Sequence, residues 1–561
     1  MKEKQGSSVR SSADRLLFIF PAVLSFFVFS GLLRAHFITI DDPLLFGYLP
    51  NLELKNIFSV EGNAPWFRPF LDISFLIDYK IWLFDPFGYH LTNLLLHSVN
   101  TVLVACLSLT LFEGDRKTAF LGSLLFSLNP VNLEAVAWIS ARADLLSTAT
   151  VLTALILIFH YIKSTKHNFL PLIFSMIAYS ASLLVKESAM VFILVVLAYS
   201  LFHPFAPTRP KALRVLPPLF VFSVITLFYF LLRGNSISGE DQSKMIPELY
   251  FLHVVAPFFD DPDFMTAFFH ALLPVLNFLG ALGFYIKKIF LPYPLNMMIL
   301  SISEDFYILF LIALLAFVFI FFRKSRTPLF LFLSFFLFLM RAFPIAFTNI
   351  AWTHYSERYL YLPGIFVLIG AAAAINLLIK RFPQRKRYIT VLLFLILLQF
   401  AFTDIFHGKI WQNSISVTEH LLDRNPHIAE PYEVLGVFHY SEGRVIEARE
   451  MFEKAIERGA QFIPYFYIGL MALQNGEEEK AIANFKKSNM DYLKKLGDYY
   501  LDKSTENALS KPDFLKKAKK YYEASYKDKK EDPSLLYRLA MVHFKLGDFK
   551  KARKFTGEIS Q

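Results

Sequence analysis

The 561-residue chain has one cysteine, few charges and no clean leader-cleavage site, and each lack excludes something. Cys106 lies inside an apolar run, so no intramolecular disulfide forms and the fold does not depend on oxidation. Charged residues make up only 19% of the chain against 55% hydrophobic residues, and the mean hydropathy is +0.43. The start, Met1 to Arg15, carries Lys2, Lys4, Arg10 and Arg15 ahead of the apolar run Leu16 to Leu33, which is the layout of a secretory signal. That run is longer than a signal core and no small-residue motif ends it. It is therefore expected to stay as a first membrane helix with a cytoplasmic N-terminus.

What is present is apolar length. The 63 phenylalanines are spread over stretches near the length that spans a hydrocarbon core as helix. Beyond the first, the runs are 88–112, 118–138, 142–161, 168–185, 187–203, 212–232, 267–291, 305–323, 327–347, 358–380 and 388–406. The net charge of +10 fits Lys and Arg retained on cytoplasmic loops, and nucleic-acid binding is the weaker explanation. Arg116-Lys117, Lys163 to Lys166, Arg209 to Arg214, Arg323 to Arg326 and Lys380 to Arg387 are accordingly placed inside. Twelve crossings would return the C-terminus to the cytoplasm, whereas a cytoplasmic Lys380 to Arg387 loop with one further helix puts it outside. One candidate between Arg233 and Asp305 is therefore read as re-entrant or miscounted, giving eleven or thirteen crossings and an external C-terminal domain.

After about Phe406 the composition turns to Lys, Glu, Tyr and Ala in helical spacing, which divides the chain into a membrane domain, 1–406, and a soluble domain, 407–561. Tyr432, Leu435, Gly436, Gly443, Ala448, Phe452 and Ala455 recur 33 residues on as Tyr465, Ile468, Gly469, Gly476, Ala481, Phe485 and Ser488. Leu536, Leu539, Ala540, Gly547 and Ala552 keep the register. Small residues let paired helices approach, and large ones fill the gap between pairs, as in a tetratricopeptide-repeat array. Asp491 to Lys527 reads as a degenerate unit with an insertion near Ser510-Lys511-Pro512.

Within the membrane part the polar residues carry the signal, because a charge at bilayer depth costs at least about 2.5 to 3.5 kcal/mol. Asp41 and Asp42 stand side by side just past the first run. In the loop 36–87 that follows, Trp66, Phe67, Arg68, Pro69 and Phe70 suggest short amphipathic helices on the membrane surface, with Arg68 at headgroup level. His90, Asn93, His97 and Asn100 form one helical stripe, fit either for a ligand or for bonding helix to helix. Pro130 breaks a membrane-length run between Asn129 and Glu134, ahead of Arg142 and Asp144. Lys186-Glu187 separates two runs, and His354 to Pro363, with Glu357, Arg358 and Tyr361, reads as a polar loop.

Taken in order, Asp41-Asp42, Arg68-Pro69, Tyr89-His90-Leu91 with Asn93 and His97, Pro130-Val131 with Glu134-Ala135-Val136, Arg142-Ala143-Asp144, Lys186-Glu187 and Glu357 to Pro363, ending in repeats, resemble the transmembrane and tetratricopeptide-repeat O-mannosyltransferases. Asn129 and Asn132 depart from the family, which commonly has histidines there, and the repeat array is short. The resemblance implies an all-α fold: a polytopic helical bundle of the GT-C type with a C-terminal α-solenoid. It implies an inverting glycosyltransferase that moves a sugar, mannose in that family, from a polyprenyl-phosphate donor to a hydroxyl of a protein or glycan acceptor at the outer face.

In that scheme Asp41 or Asp42 deprotonates the acceptor. Arg68, Arg142, Lys186 and Arg358 are candidates for the leaving phosphate, and His90, Asn93, Glu134, Asp144, Glu187, Glu357 and Tyr361 support them. A divalent cation on Asp41, Asp42 and His90 stays open. The expected partners are the lipid-linked donor, an acceptor recruited by the repeats, and membrane lipid. The expected place is a bacterial inner membrane, or the endoplasmic reticulum membrane if the chain is eukaryotic. Two other functions fit the same residues: a flippase or transporter for lipid-linked glycans, and a membrane-tethered assembly scaffold.

Overall fold

The computed structural model describes residues 12–38, 41–58, 67–164, 168–202, 211–236, 278–297, 299, 302–322, 326–340, 342, 355–488, 492–506, 511–528 and 533–559. Among them the chain is helical, with no strand and one isolated bridge between Ile299 and Tyr355. The expected all-α class is borne out. Contacts divide the chain into two compact units, Met1–Arg424 and Asn425–Gln561. The composition changes earlier, after Phe406, but Trp411 and the helix Ser414–Arg424 bury Trp411, Val417 and Leu421 within the first unit.

Five described helices are long and apolar enough to cross a membrane: Pro86–Leu111, Ile139–Lys163, Val215–Arg233, Pro363–Arg381 and Pro383–Gly408. Shorter apolar helices cover Phe18–Arg34, Leu170–Val185, Glu187–Phe202, Asp305–Phe319 and Thr327–Leu339. With the last span presenting Leu392, Phe394, Leu395 and Phe402 outward, this is the surface of a multi-pass membrane protein. The segment 237–277, on which the count of crossings turns, lies outside the described residues.

The run 118–138 breaks where Pro130 stands. Helix Arg116–Ser127 ends, and Pro130–Ala137 leaves it at 51°, since proline lacks an N–H and keeps the residue before it out of helical geometry. Asn129 is extended there, and its Oδ1 accepts from Val131 N at 3.1 Å. Its Nδ2 donates to Ile289 O at 3.0 Å, and Asn132 Nδ2 to Phe126 O at 2.7 Å. The broken backbone is thus satisfied by protein. A second close fit joins helix 278–290 to Glu304–Phe322: a Cβ on Gly283 would stand 1.9 Å from Tyr307 O, so only glycine fits.

The loop after the first helix is packed rather than loose. Leu45, Leu49, Leu52 and Ile57 join Leu71, Phe75 and Leu76 of helix Pro69–Trp82, then Tyr89, Ile139 and Ala143, in one buried cluster. That helix turns Phe70, Ile77 and Ile81 outward, as an interfacial helix does. His36 N donates to Gln412 O at 2.8 Å, so the chain leaving the last span meets the chain leaving the first helix.

Among the described residues the second unit is four helical hairpins: Glu430–Ser441 with Val445–Glu457, Ile463–Gln474 with Glu478–Lys487, Tyr492–Glu506 with Lys511–Asp528, and Pro533–Lys545 with Phe549–Ile559. Gly443, Gly476 and Gly547 turn the chain at φ between 75° and 82°. Each early glycine lies under its own repeat's aromatic ring: a Cβ would approach Phe452 to 2.5 Å from Gly436 and Phe485 to 2.7 Å from Gly469. The third hairpin repeats the fit with Gly497 and Tyr522 at 2.5 Å, on helices lengthened to 15 and 18 residues. The degenerate unit therefore absorbs its extra residues as additional helix.

Candidate functional site

The turn Asp41–Asp42 treats its two carboxylates differently. Asp42 is buried; its Oδ2 accepts from Ile38 N at 2.8 Å, and its Oδ1 from Ser140 N at 3.1 Å and Ser140 Oγ at 2.6 Å. Burial pushes its carboxyl up to about 6 in spite of those three bonds. It pins the turn to the unwound stretch Ile139–Ala141. Asp41 is half-buried and makes no hydrogen bond or ion pair among the described residues. Burial raises its pKa, and the charge of Arg358 pulls it back.

Arg358 belongs to the short turn Glu357–Leu360, just ahead of helix Pro363–Arg381. Its Nη1 stands 3.4 Å from Glu134 Oε1, and its backbone N donates to Glu134 Oε2 at 3.0 Å. Ser356 Oγ closes the set on Glu134 at 2.6 Å. The guanidinium lies 4.3 Å above the Trp138 ring and 5.4 Å from that of Tyr359. Arg358 thus spans two segments created by the Pro130 break, and it stays 18% exposed.

Two further cations join it. Arg68, at the start of helix Pro69–Trp82, is bidentate to Glu187, with Nη2 to Oε1 at 3.1 Å and Nε to Oε2 at 3.3 Å. Lys186, between helix Leu170–Val185 and the turn Glu187–Val191, pairs with Asp144. Arg68 and Arg358 both feel the charge of Asp144. Arg68, Lys186 and Arg358 therefore form one cluster with Glu187, Asp144, Glu134 and Asp41. Glu357 lies near Glu134 but is spent elsewhere: it pairs with buried Lys288 at 2.5 Å and accepts from Asn296 N at 3.1 Å, and burial pushes its carboxyl up to about 7.

The rest of the expected set is spent inside the bundle. Arg142 is fully buried, with Nη2 at 2.6 Å from Asp78, Nε to Asn93 Oδ1 at 2.9 Å, Nη1 to Ser74 Oγ at 3.1 Å and Nη2 to Tyr89 O at 2.9 Å. Asn93 Nδ2 donates to Trp138 O at 3.2 Å, and His97 Nδ1 meets Tyr361 OH at 2.8 Å. Asn100 Nδ2 donates to Leu145 O at 2.9 Å and to Tyr361 OH at 3.2 Å. Asn93, His97 and Asn100 of the stripe bond helix to helix, the second of its two readings, while His90 is buried against the backbone of His36. Among the described residues no three His, Cys, Asp or Glu side chains gather as a metal site would need, Asp41, Asp42 and His90 included.

Ser140, Trp138 and Lys288 were not singled out in the sequence. Ser140 and Trp138 had a signal, lying in the same interrupted stretch as Glu134. Lys288 stood with Lys287 in a largely apolar helix, and the pair was itself a pointer.

A family model described as Tetratricopeptide repeat matches residues 533–555. Curated relatives include Protein O-mannosyl-transferase TMTC2 of Homo sapiens, 28% identical over 214 residues, or 36% of this chain and 24% of that protein. Protein O-mannosyl-transferase F38B6.6 of Caenorhabditis elegans is 34% identical over 23% of this chain and 18% of its own length. Protein O-mannosyl-transferase Tmtc1 of Drosophila melanogaster is 34% identical over 23% and 15%. The matches thus span at most about a quarter of these relatives' length. The resemblance read from the ordered motifs is met by proteins that carry that family's name. A solved structure, the crystal structure of the Archaeoglobus fulgidus oligosaccharyltransferase in complex with Zn and sulfate, aligns with 70% of this chain and 53% of its own at 13% identity and a TM-score of 0.38. At that score the likeness assigns neither fold nor activity.

Proposed function

We propose that this chain is an integral membrane glycosyltransferase that moves a sugar, mannose by the names of its relatives, from a polyprenyl-phosphate donor to a hydroxyl of a protein or glycan acceptor. The observation that carries the reading is the pairing of one open carboxylate, Asp41, with a cluster of three partly exposed cations led by Arg358. Asp41 takes the proton of the acceptor hydroxyl as its oxygen bonds to the anomeric carbon. The bond from that carbon to the phosphate oxygen breaks, its electron pair leaves with the lipid phosphate, and the configuration inverts. Arg358, with Arg68 and Lys186, stabilises the charge that develops there. Asp42 is the anchor that sets the position of Asp41, and Arg142 the strut beneath it.

The lipid tail has a place to go. An apolar cavity of about 180 Å³ is lined by Phe290, Phe317, Leu331, Phe366, Ala374 and Leu377, among others. Phe366 lies in the first turn of the helix that follows Arg358, so a phosphate at Arg358 with its tail along that helix suits an amphiphilic donor. The repeats are the recruiters of the acceptor in this reading, since a helical solenoid offers an extended binding surface. We place the reaction at the outer face, periplasmic in a bacterial inner membrane and luminal in the endoplasmic reticulum.

The test is transfer by the purified chain from a polyprenyl-phosphate mannose to peptide and glycan acceptors. Asp41→Asn is expected to lose roughly 10²- to 10⁴-fold in turnover while still binding donor. Full transfer by Asp41→Asn would remove the base assignment. Absence of transfer by the intact chain, with movement of the lipid across vesicles, would turn the reading to a transporter.

A further inference from the structure

Trp138 is among the largest fully buried side chains of the first unit, and among the described residues its indole N–H has no hydrogen-bond partner. A buried, unpaired donor is uncommon and costs stability unless something else satisfies it. The helix break explains why the ring is where it is: Trp138 is extended, its N–H bonds back to Glu134 O, and its carbonyl accepts from Asn93. None of this uses the indole nitrogen. The ring carries the Arg358 guanidinium at 4.3 Å, close enough for cation–π attraction, so the orphan N–H belongs to the same ring that supports a partly exposed cation of the cluster. The Arg358 side chain bonds Glu134 at 3.4 Å and the Tyr359 hydroxyl, and a guanidinium has five donors, so it retains capacity for a ligand.

We propose that Trp138 is a donor-binding residue, its indole N–H donating to a phosphate oxygen of the lipid-linked substrate beside Arg358. This rests on the glycosyltransferase reading above and adds a residue to it. The segment 138–140 then serves both halves of the site: Trp138 meets the donor, and Ser140, two residues on, holds Asp42 and through it the Asp41 turn. The ring fixes the guanidinium in one orientation, and the N–H supplies a neutral donor where a fourth cation would be expensive to bury.

The experiment uses the full chain in nanodiscs, labelled with 5-fluorotryptophan, and follows its five tryptophans by ¹⁹F NMR. The Trp138 signal is assigned by elimination, with Trp→Phe variants at the other four tryptophans, Trp66, Trp82, Trp352 and Trp411. Polyprenyl monophosphate is expected to shift that signal, and inorganic phosphate to shift it far less. Trp138→Phe keeps an aromatic face but removes the N–H, and its Kd for polyprenyl monophosphate should rise about tenfold, the scale of one hydrogen bond to a charged group. Trp138→Leu removes both and should weaken binding further, with KM for the donor raised more than kcat is lowered. A bound lipid phosphate that leaves the Trp138 signal unmoved overturns the proposal without touching the proposed function. Equal affinity of Trp138→Phe and the parent does the same, and the unmutated chain's spectrum decides the matter even where a variant fails to fold. Failure of the intact chain to bind polyprenyl phosphate at all removes both.

Discussion

Arg142 and Arg358 are both arginines near the ends of membrane helices, and the protein uses them in opposite ways. Arg142 is fully buried, lies 4.4 Å over the ring of Phe75, and has every arm of its guanidinium met by Asp78, Asn93, Ser74 or Tyr89. Arg358 keeps a rim of exposure, a long bond to Glu134, a bond to the Tyr359 hydroxyl, and an aromatic platform. The first has no donor left for a ligand; the second has several. What marks a binding arginine is thus unspent hydrogen-bonding capacity beside a cleft, and residue type with position in the chain does not report it.

The hardest way to break that contrast is at Arg142. Arg142→Leu strands Asp78 in the interior, and removal of one partner of a buried pair costs about 3 to 5 kcal/mol. The expected result is a large drop in thermal stability in nanodiscs, with activity lost because the fold is lost. Asp78→Asn should fall in the same direction by less, since Thr92 Oγ1 still meets the remaining oxygen, now at 2.8 Å. Should Arg142→Leu melt like the parent yet fail to bind donor, the two arginines would exchange roles.

Arg358→Gln probes the other side. Glu134 is buried but keeps its bonds from Ser356 Oγ and the Arg358 backbone N, so thermal stability should fall by about 1 to 3 kcal/mol, less than at Arg142. Turnover should fall by roughly 10²- to 10³-fold, the usual loss when one group stabilising developing charge is removed. Single-turnover transfer together with a melting curve on the same sample separates the two, and a Tm drop as large as that of Arg142→Leu would erase the distinction.

The same distinction shows why the sequence disclosed some of this and withheld the rest. Pro130 announced the helix break, because proline's missing N–H acts locally whatever surrounds it. The repeat register was legible through Gly436 and Gly469, 33 residues apart, because each must clear an aromatic ring. Which member of Asp41–Asp42 stays open was not legible. It is decided by Ser140, 98 residues away, whose N–H and hydroxyl both go to Asp42. Arg142 suffered likewise, since Asp78, Asn93 and Tyr89 reach it only after three elements pack. The stripe of His97 and Asn100 was visible as a stripe, but its partner Tyr361 lies more than 260 residues on.

A third test moves to the repeat unit, where fit alone is at stake. Gly469→Ala brings a methyl to within 2.7 Å of Phe485, and overpacking of that kind costs about 1 to 3 kcal/mol. The loss should be confined to the far-ultraviolet melting of the 425–561 unit, with donor binding by the membrane unit unchanged. A parallel fall in donor binding would mean that the membrane unit depends on the repeats for its own fold.

The smallest expected effect is also the most specific to the open carboxylate. Burial holds the Asp41 carboxyl above its ordinary value of 3.8, and the positive charge of Arg358 works against that rise. As a base Asp41 must be ionised, so turnover falls as pH drops through its raised folded pKa, and the acid limb of the rate profile lies above 3.8. Removal of the cation disfavours the ionised form. In the residual activity of Arg358→Gln the acid limb should therefore move to higher pH, while Arg358→Lys should leave it nearer the parent. Asp42 supplies the control through stability. Its folded carboxyl titrates at about 6 against 3.8 unfolded, so the folded state holds the proton more tightly, and stability should decline as pH rises from about 4 to about 6 and then level off. Asp42→Asn should flatten that decline without moving the acid limb of turnover, since the neighbour that tunes Asp41 is Arg358. An acid limb that follows Asp42→Asn and ignores Arg358→Gln would make Asp42 the base and Asp41 the bystander.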